Sequence, residues 1–300
     1  MLIKNLKALP FFVLIVLLWT HAVFAQAAPA ADSYVRNAPV TTPPVYRNQS
    51  EKNAISLSTL TGIELGGEVS GYRYQEHLDA GVDFMHETGT KVGLIGTATK
   101  ALHSGFFGTI DARVAYSTND YSSPVSGTQS NIPDYLGEIR LLGGKDFVEN
   151  RFALSPYTGI GYRTLFNDSR GFTSNFSSGY RRDSQYLYLP AGLTSRFRAT
   201  GTSRISANLE YDYLLEGWQE SKLGDSLSGL PTLKNDQHRG YGLRGSVAYE
   251  WSHWGVGPFF DYWNINQSNI ICGVGSVYGV CGAEPHNQTI EYGLQARYRF

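Results

Sequence analysis

The final residues of the chain, 289–300, read TIEYGLQARYRF, and they alternate between two kinds of side chain. The even positions hold Ile, Tyr, Leu, Ala, Tyr and Phe, whereas the odd positions hold Thr, Glu, Gly, Gln and two Arg. Successive side chains of a β-strand point to opposite faces, so the stretch predicts a strand with one apolar and one polar face. Residues 204–215 and 240–251 repeat the pattern.

Working outward from these strands, the same alternation predicts ten strands. They are 63–75, 90–101, 106–116, 134–145, 152–165, 183–197, 204–215, 239–251, 254–264 and 288–300. Most soluble strands have about 5–6 residues, whereas a tilted strand that crosses a membrane needs about 9–11. A soluble β-sandwich would also alternate, but the predicted strand lengths favour membrane strands.

The connections between the predicted strands alternate between short and long. The four short turns are 102–105, 146–151, 198–203 and 252–253, and the five long connections are 76–89, 117–133, 166–182, 216–238 and 265–287. Short periplasmic turns and long extracellular loops are typical of outer-membrane barrels, and closure leaves no unpaired strand edge in lipid. We therefore predict an all-β fold for residues 54–300: a closed antiparallel transmembrane β-barrel of about ten strands, with counts from eight to twelve left open.

Composition excludes several other classes of protein. The chain has 300 residues, 17% of them charged, with a net charge of −1 and two cysteines. A near-neutral chain gives no basic field for nucleic acid, and two cysteines cannot form a four-thiolate metal site. After the first 25 residues no apolar run approaches the ~20 residues of a membrane-spanning helix. We expect no metal and no cofactor.

The N-terminus is typical of an export signal. Lys4 and Lys7 precede the apolar stretch 8–18, and Val23 and Ala25 stand at the −3 and −1 positions of a cleavage site. Residues 1–25 therefore predict a cleaved signal peptide, with an N-terminal membrane anchor as the alternative. Residues 26–53 are rich in Ala, Pro, Asn, Thr and Ser, which predicts a flexible periplasmic segment.

Charged residues of both signs occupy the predicted inner face of the barrel. They are Glu64, Glu68, Asp111, Arg113, Glu138, Arg140, Arg196, Glu210, Asp212, Arg244, Glu250, Asp261, Glu291, Arg297 and Arg299. Buried charges are tolerated when they are paired, and the interior of a barrel of this size is largely filled by its side chains. We expect salt bridges across the lumen and no wide channel, with a narrow selective channel as the alternative.

The end of the last strand resembles a known signature. With Phe300 as the final residue and Tyr298 two positions before it, the strand resembles the C-terminal sorting signal of Gram-negative outer-membrane barrel proteins. This resemblance implies location in the outer membrane, contact with its lipid and lipopolysaccharide, and assembly by the barrel-assembly machinery and periplasmic chaperones.

Two further residue groups are candidates for outer-surface roles. Cys272 and Cys281 lie in the last long connection, where an oxidising exterior favours a disulfide that closes a short loop. Arg163, Arg170, Arg181 and Arg182 lie around the third long connection. Because guanidinium groups form bidentate contacts with phosphate, these arginines are candidates for binding lipopolysaccharide, and a solvated loop is the alternative.

Asp236 and His238 are the weak candidates for catalysis. An acid two positions from a histidine lies on the same strand face and could orient the imidazole as a general base. Here the chain resembles the omptins, ten-stranded outer-membrane proteases with an Asp-x-His pair at the barrel rim. Residues 55–62, 190–194 and 217–221 also resemble segments of that family. The chain departs from that family because its second long connection and the residue after it offer Asn119-Asp120 and Asp134 in place of an Asp-x-Asp pair.

These observations favour a non-enzymatic function. We expect a surface-exposed outer-membrane protein, adhesive or structural, whose long loops contact a host, matrix or neighbouring molecule, since loops on a rigid scaffold commonly carry binding sites. The alternatives are an omptin-like endopeptidase and, after it, a narrow porin.

Overall fold

The computed structural model describes residues 54–78, 82–272 and 281–300, and nearly all of them lie in strands. The strands are β1 (Gly62–Leu78), β2 (Val82–Ala101), β3 (Phe106–Ser123), β4 (Gly127–Lys145), β5 (Phe147–Glu149), β6 (Phe152–Phe172), β7 (Ser178–Arg198), β8 (Ser203–Lys222), β9 (Thr232–Gln237), β10 (Gly240–Trp251), β11 (Trp254–Ile265), β12 (Ile271–Cys272), β13 (Cys281–Gly282) and β14 (His286–Arg299). Two single 3₁₀ turns, His103–Gly105 and Leu223–Asp225, complete the secondary structure of the described residues. In these residues no helix is long and apolar enough to cross a membrane. The predicted signal peptide (1–25) and flexible segment (26–53) lie outside them.

Ten strands form a closed antiparallel barrel, as the sequence pattern predicts. Each of β1, β2, β3, β4, β6, β7, β8, β10, β11 and β14 pairs with its neighbours in this order, and β14 pairs with β1 to close the ring. The short strands β5 and β9 pair with β6 and β8. Closure gives the backbone groups of both terminal strands a partner, which the interior of a bilayer requires.

The strands extend much further toward the long-connection end than the alternation predicts. The predicted connections 76–89, 117–133 and 166–182 are mostly strand: only 79–81, 124–126 and 173–177 separate β1 from β2, β3 from β4 and β6 from β7. The sequence-based boundaries are therefore wrong at this end. The outer part of the barrel is a rim of paired strands, with short connections at the tips of these three hairpins.

The exterior carries an apolar band between two rings of aromatic side chains. Large apolar side chains between the rings face outward, with Leu94 67% exposed. The inner aromatic ring, at the periplasmic end of the barrel, includes Trp251 and Trp254. The outer aromatic ring, at the extracellular end, includes Tyr241, whose side-chain centroid lies 5.9 Å from that of Tyr211. Tyr241 and Trp251 are ten positions apart on β10, which at ~3.3 Å per residue and a tilt of ~40° spans about 25 Å. This height matches the apolar band of a transmembrane barrel.

Charged side chains form salt bridges across the interior of the barrel, as predicted. Arg244 contacts Glu138 and Asp212, each at 2.6 Å, and Arg140 lies 2.6 Å from Glu210. Pairing within hydrogen-bond distance offsets much of the cost of removing these charges from water. Small residues make room for large ones, because a Cβ on Gly161 would come within 2.2 Å of the Tyr188 ring.

Candidate functional site

The predicted catalytic pair lies on the outer face of the rim. In β9 the buried positions are Leu233, Asn235 and Gln237, so Asp236 and His238 point away from the lumen. His238 is 64% exposed, and its Nδ1 lies 2.8 Å from Oε1 of Glu216. The structure therefore pairs the imidazole with Glu216, a partner that the sequence pattern did not indicate.

The acidic residues of the second predicted connection do not form a pair either. Asp134 points into the lumen, where its Oδ1 lies 3.0 Å from Nζ of Lys91. Asp120 is exposed, and its carboxylate accepts a hydrogen bond from the backbone N–H of Asn131. Asn119 is buried and donates to Glu87. One acid thus faces the lumen and the other faces outward.

The four candidate phosphate-binding arginines fall into two separate groups. Arg163 and Arg182 point into the lumen, where Arg163 lies 3.2 Å from Asp261. Arg170 and Arg181 lie on the outer surface, and each contacts an acid, Asp168 in the first case and Asp225 in the second. Hydrogen bonds from Arg181 lower the pKa of the Asp225 carboxyl to about 2. The structure therefore brings no more than two of the four together at the surface.

Arg182 is the centre of an acidic cluster at the outer end of the lumen. It contacts Glu76 and lies 3.7 Å from both Glu87 and Glu284. The hydroxyl of Tyr74 donates to Glu76 and Glu284. Burial, and next the charge of Glu76, raise the pKa of Glu284 to about 7. One guanidinium thus lies among three carboxyl groups at the extracellular end of the lumen.

The inner half of the lumen holds a polar chamber of about 310 Å³. Residues 55–60, which we call the strap, cross its periplasmic mouth. Within the strap, Leu57 is 2% exposed, and Thr59 donates to Asp146 through its backbone N–H and its hydroxyl, at 2.6 and 2.9 Å. Arg204 donates to the carbonyl oxygen of Ser56. The strap is thus fixed to the barrel wall by charge-assisted hydrogen bonds, which are stronger than neutral ones.

Cys272 and Cys281 form a disulfide, with their Cα atoms 4.0 Å apart. They lie in the two-residue strands β12 and β13, which pair with each other outside the barrel sheet.

The last strand ends in the inner aromatic ring. The ring centroid of Tyr298 lies 5.0 Å from that of Trp254 and 5.0 Å from that of Phe300. The backbone N–H of Phe300 donates to the carbonyl oxygen of Ile63, which fixes the C-terminus to the first strand.

Apolar side chains are exposed at the tips of two neighbouring hairpins, far from the lipid-facing band. Val125 is 75% exposed, Phe172 70% and Phe176 86%. We call these three residues the tip patch. They lie at the outer ends of β3–β4 and β6–β7, which extend beyond the outer aromatic ring. The sequence carried a weak signal for them, since Phe172 and Phe176 interrupt a run of Gly, Ser, Thr and Asn.

Hydrogen bonds join the two hairpin tips. The backbone N–H of Ser174 donates to the carbonyl oxygen of Thr128 at 2.8 Å, and the backbone N–H of Thr128 donates to the Ser174 hydroxyl at 3.0 Å. Asn175 donates to the carbonyl oxygen of Val125. Phe176 has φ of 61°, a left-handed conformation that is unusual for a bulky residue. The tip patch is therefore presented in a fixed arrangement.

Comparison with known proteins shows the fold. No protein-family model and no curated protein matches the sequence. The outer-membrane protease OmpT of Escherichia coli has a TM-score of 0.53 at 11% identity, over 82% of this chain and all of OmpT. The translocator domain of the autotransporter NalP from Neisseria meningitidis has a TM-score of 0.46 at 12% identity, over 81% of this chain and 90% of that domain. At these identities the likeness to OmpT shows that this chain has the fold of an outer-membrane barrel, and the score of NalP is too low to support an argument.

Proposed function

We propose that this protein is a non-enzymatic surface-contact protein of the Gram-negative outer membrane, which uses the barrel as an anchor and the tip patch as its contact surface. In this proposal residues 1–25 direct export, the barrel-assembly machinery and periplasmic chaperones insert the chain, and the apolar band contacts lipid and lipopolysaccharide. The aromatic rings and the C-terminal Phe300 support this location.

The observation that carries the proposal is the exposure of three large apolar side chains at the outermost tips. An apolar cluster on a solvent-exposed surface commonly marks an interaction site. The hydrogen bonds between the hairpins support it further, because a pre-organised surface loses less conformational entropy on binding. A sparsely populated backbone conformation at Phe176 costs of order 1–3 kcal/mol and is often found at functional sites.

The same geometry argues against the two alternatives. A protease of omptin type would need its acid and histidine to converge on a substrate groove, whereas Asp236 and His238 lie on the outer face and His238 contacts Glu216. A porin would need a continuous water path, whereas Arg163, Tyr188 and Glu291 in the lumen are at most 1% exposed.

The proposal is tested by adhesion of cells that display the protein. A host that displays the parent chain should adhere to apolar polystyrene beads and to immobilised extracellular matrix. Substitution of all three tip-patch residues by serine should reduce this adhesion to that of the empty host. A matched control replaces the exposed apolar residues Leu227 and Ile270 by serine, 62% and 66% exposed, and should adhere like the parent. Equal adhesion by the tip-patch variant would overturn the proposal.

The protease alternative has its own test. If Asp236 were catalytic, the chain refolded with lipopolysaccharide would cleave peptides, and Asp236→Asn would abolish cleavage. We expect no turnover by either chain, measured by mass spectrometry on a broad peptide library. Turnover by the parent that is lost in Asp236→Asn would replace the contact function with an enzymatic one.

A further inference from the structure

We propose that His77 and His286 form a binding site for a divalent transition-metal ion on the extracellular rim, separate from the tip patch. The two histidines are direct partners in the register between β1 and β14, the strands whose pairing closes the barrel. Their ring centroids lie 5.5 Å apart. Both rings stand on the outer face, because their neighbours Glu76 and Asn287 are the buried positions.

The spacing of the rings fits two nitrogen ligands on one metal ion. A zinc–nitrogen bond is about 2.0–2.1 Å, so two imidazoles at a tetrahedral angle place their ring centroids about 5 Å apart. Small rotations about the two side-chain torsions that shorten the centroid distance by a few tenths of an ångström would bring the observed 5.5 Å to that spacing.

Each ring has a neighbour that leaves one nitrogen free to bind metal. Nδ1 of His77 lies 3.0 Å from the carboxylate of Asp83, so this nitrogen carries the proton and donates it. Nε2 of His77 has no hydrogen-bond partner among the described residues. Nε2 of His286 lies 2.6 Å from Oδ1 of Asn264 and donates to it, which leaves Nδ1 of His286 as the second ligand. A metal-bound histidine commonly donates its other N–H to a carboxylate or carbonyl in this way.

A β-bulge places Asp83 in this arrangement. The register between β1 and β2 shifts between Glu76 and His77, so that Glu76 pairs with Met85 but His77 pairs with Asp83. Without the shift, His77 would face Phe84. A bulge is a common way to redirect a side chain at a functional site, and here it brings a carboxylate to the ring that needs an acceptor.

The chemistry of the donors selects the ion. Imidazole nitrogen suits Zn²⁺, Cu²⁺ and Ni²⁺, whereas Ca²⁺ and Mg²⁺ prefer oxygen. Among the described residues no group of three or more His, Cys, Asp or Glu side chains is arranged to hold a metal ion. The described residues therefore supply two ligands, and water or a ligand of a neighbouring molecule would complete the coordination.

The first test is titration of the untagged, refolded chain with Zn²⁺ in detergent micelles, followed by calorimetry. We expect one saturable site of micromolar affinity, and no binding of Mg²⁺. His77→Ala and His286→Ala should each weaken Zn²⁺ binding by tenfold or more, and Asp83→Asn by about tenfold. His238→Ala is the matched control, because this exposed rim histidine contacts Glu216 and should bind Zn²⁺ like the parent. A parent without saturable binding, or a His77→Ala variant that binds like the parent, would overturn the site.

A second measurement needs no variant and so does not depend on refolding of a mutant. Diethyl pyrocarbonate modifies accessible histidines, and mass spectrometry locates the modified residues. Zn²⁺ should protect His286 and leave His238 reactive, whereas His77 gives no readout here because its Nε2 is buried and its Nδ1 contacts Asp83. Protection of His238 alone, or of no histidine, would contradict the proposal.

Discussion

At the scale of single residues, the arginines that fill the lumen show what the alternation of side chains can and cannot reveal. The sequence placed Arg163 with the arginines of the rim because they are close along the chain. The alternation along β6 predicts the direction of this side chain correctly. Tyr162 faces outward, so Arg163 faces the lumen, where it is 1% exposed. The partner of a given arginine is not predictable in this way, because the carboxylates around it come from strands distant in sequence.

Arg244 is the residue whose loss should destabilise the barrel most sharply. It contacts Glu138 and Asp212 at 2.6 Å and lies within 3.6 Å of Asp261. Arg244→Met would leave the buried carboxylates of Glu138 and Asp212 without their cation, and breaking a buried pair in this way costs about 3–5 kcal/mol. We expect a loss of that size in urea unfolding of the refolded protein in micelles, followed by tryptophan fluorescence.

The control for this prediction is an exposed ion pair. Lys234 lies 2.6 Å from Glu220, and its side chain is 71% exposed. Lys234→Met should change the free energy of unfolding by less than about 1 kcal/mol, as is usual for surface pairs. If Arg244→Met and Lys234→Met unfold at the same urea concentration, the lumenal network does not stabilise the barrel.

At the scale of elements, the ten strands and their inner faces could be predicted, but their outer ends could not. Alternation between apolar and polar residues marks the part of each strand whose outward face is apolar. Residues 117–123 and 178–185 continue as strands above the outer aromatic ring, where both faces are polar and the alternation disappears. The sequence therefore located the edge of the apolar band and not the end of the strand.

Register between strands is a further limit on what the sequence predicts. His77 and His286 are neighbours only because β14 pairs with β1, and Asp83 joins them only because of the bulge beside Glu76. Side-chain period alone does not fix which residues of two strands face each other. The candidate metal site therefore required the structure, as did the contact between the two hairpin tips.

The strap is the element whose removal should open the inner chamber. Leu57 is 2% exposed beneath the barrel, whereas Leu60 in the same segment is 43% exposed. Leu57→Asp should displace the strap because it places a charge at a buried position, while Leu60→Asp should leave it in place. Each substitution is made in a chain that carries Thr99→Cys, which places a reporter cysteine in the chamber wall. In this chain Cys272 and Cys281 are replaced by serine, so that position 99 holds the single cysteine.

The measurement is the rate at which a maleimide reagent labels the cysteine at position 99 in refolded protein. Labelling should be fast in the Leu57→Asp chain and slow in the Leu60→Asp chain. Equal labelling rates would show that the strap does not control access to the chamber.

At the scale of the whole molecule, the two halves of the lumen differ. The inner half contains the chamber of about 310 Å³, whereas the outer half is filled by side chains such as Tyr188 and Trp263, whose ring centroids lie 5.1 Å apart. The Arg163 guanidinium lies 5.3 Å from the Trp263 ring. An anchor needs a rigid, sealed barrel, and a filled outer half supplies both properties to the rim above it.

Because side chains fill the outer half of the lumen, we expect the barrel to carry no ionic current in a planar lipid bilayer. Residues Arg163, Tyr188 and Trp263 are each at most 3% exposed, so no continuous water path passes them. Replacing all three by alanine removes the largest side chains from the constriction and should produce steady conductance steps. The matched control removes three large rings from the outside of the barrel, Tyr211, Tyr241 and Tyr262, and should carry no current because these rings do not face the lumen. Steady conductance in the parent would mean that ions pass through the charged network of the lumen. The protein would then be a narrow channel, because a sealed barrel that serves only as an anchor carries no current.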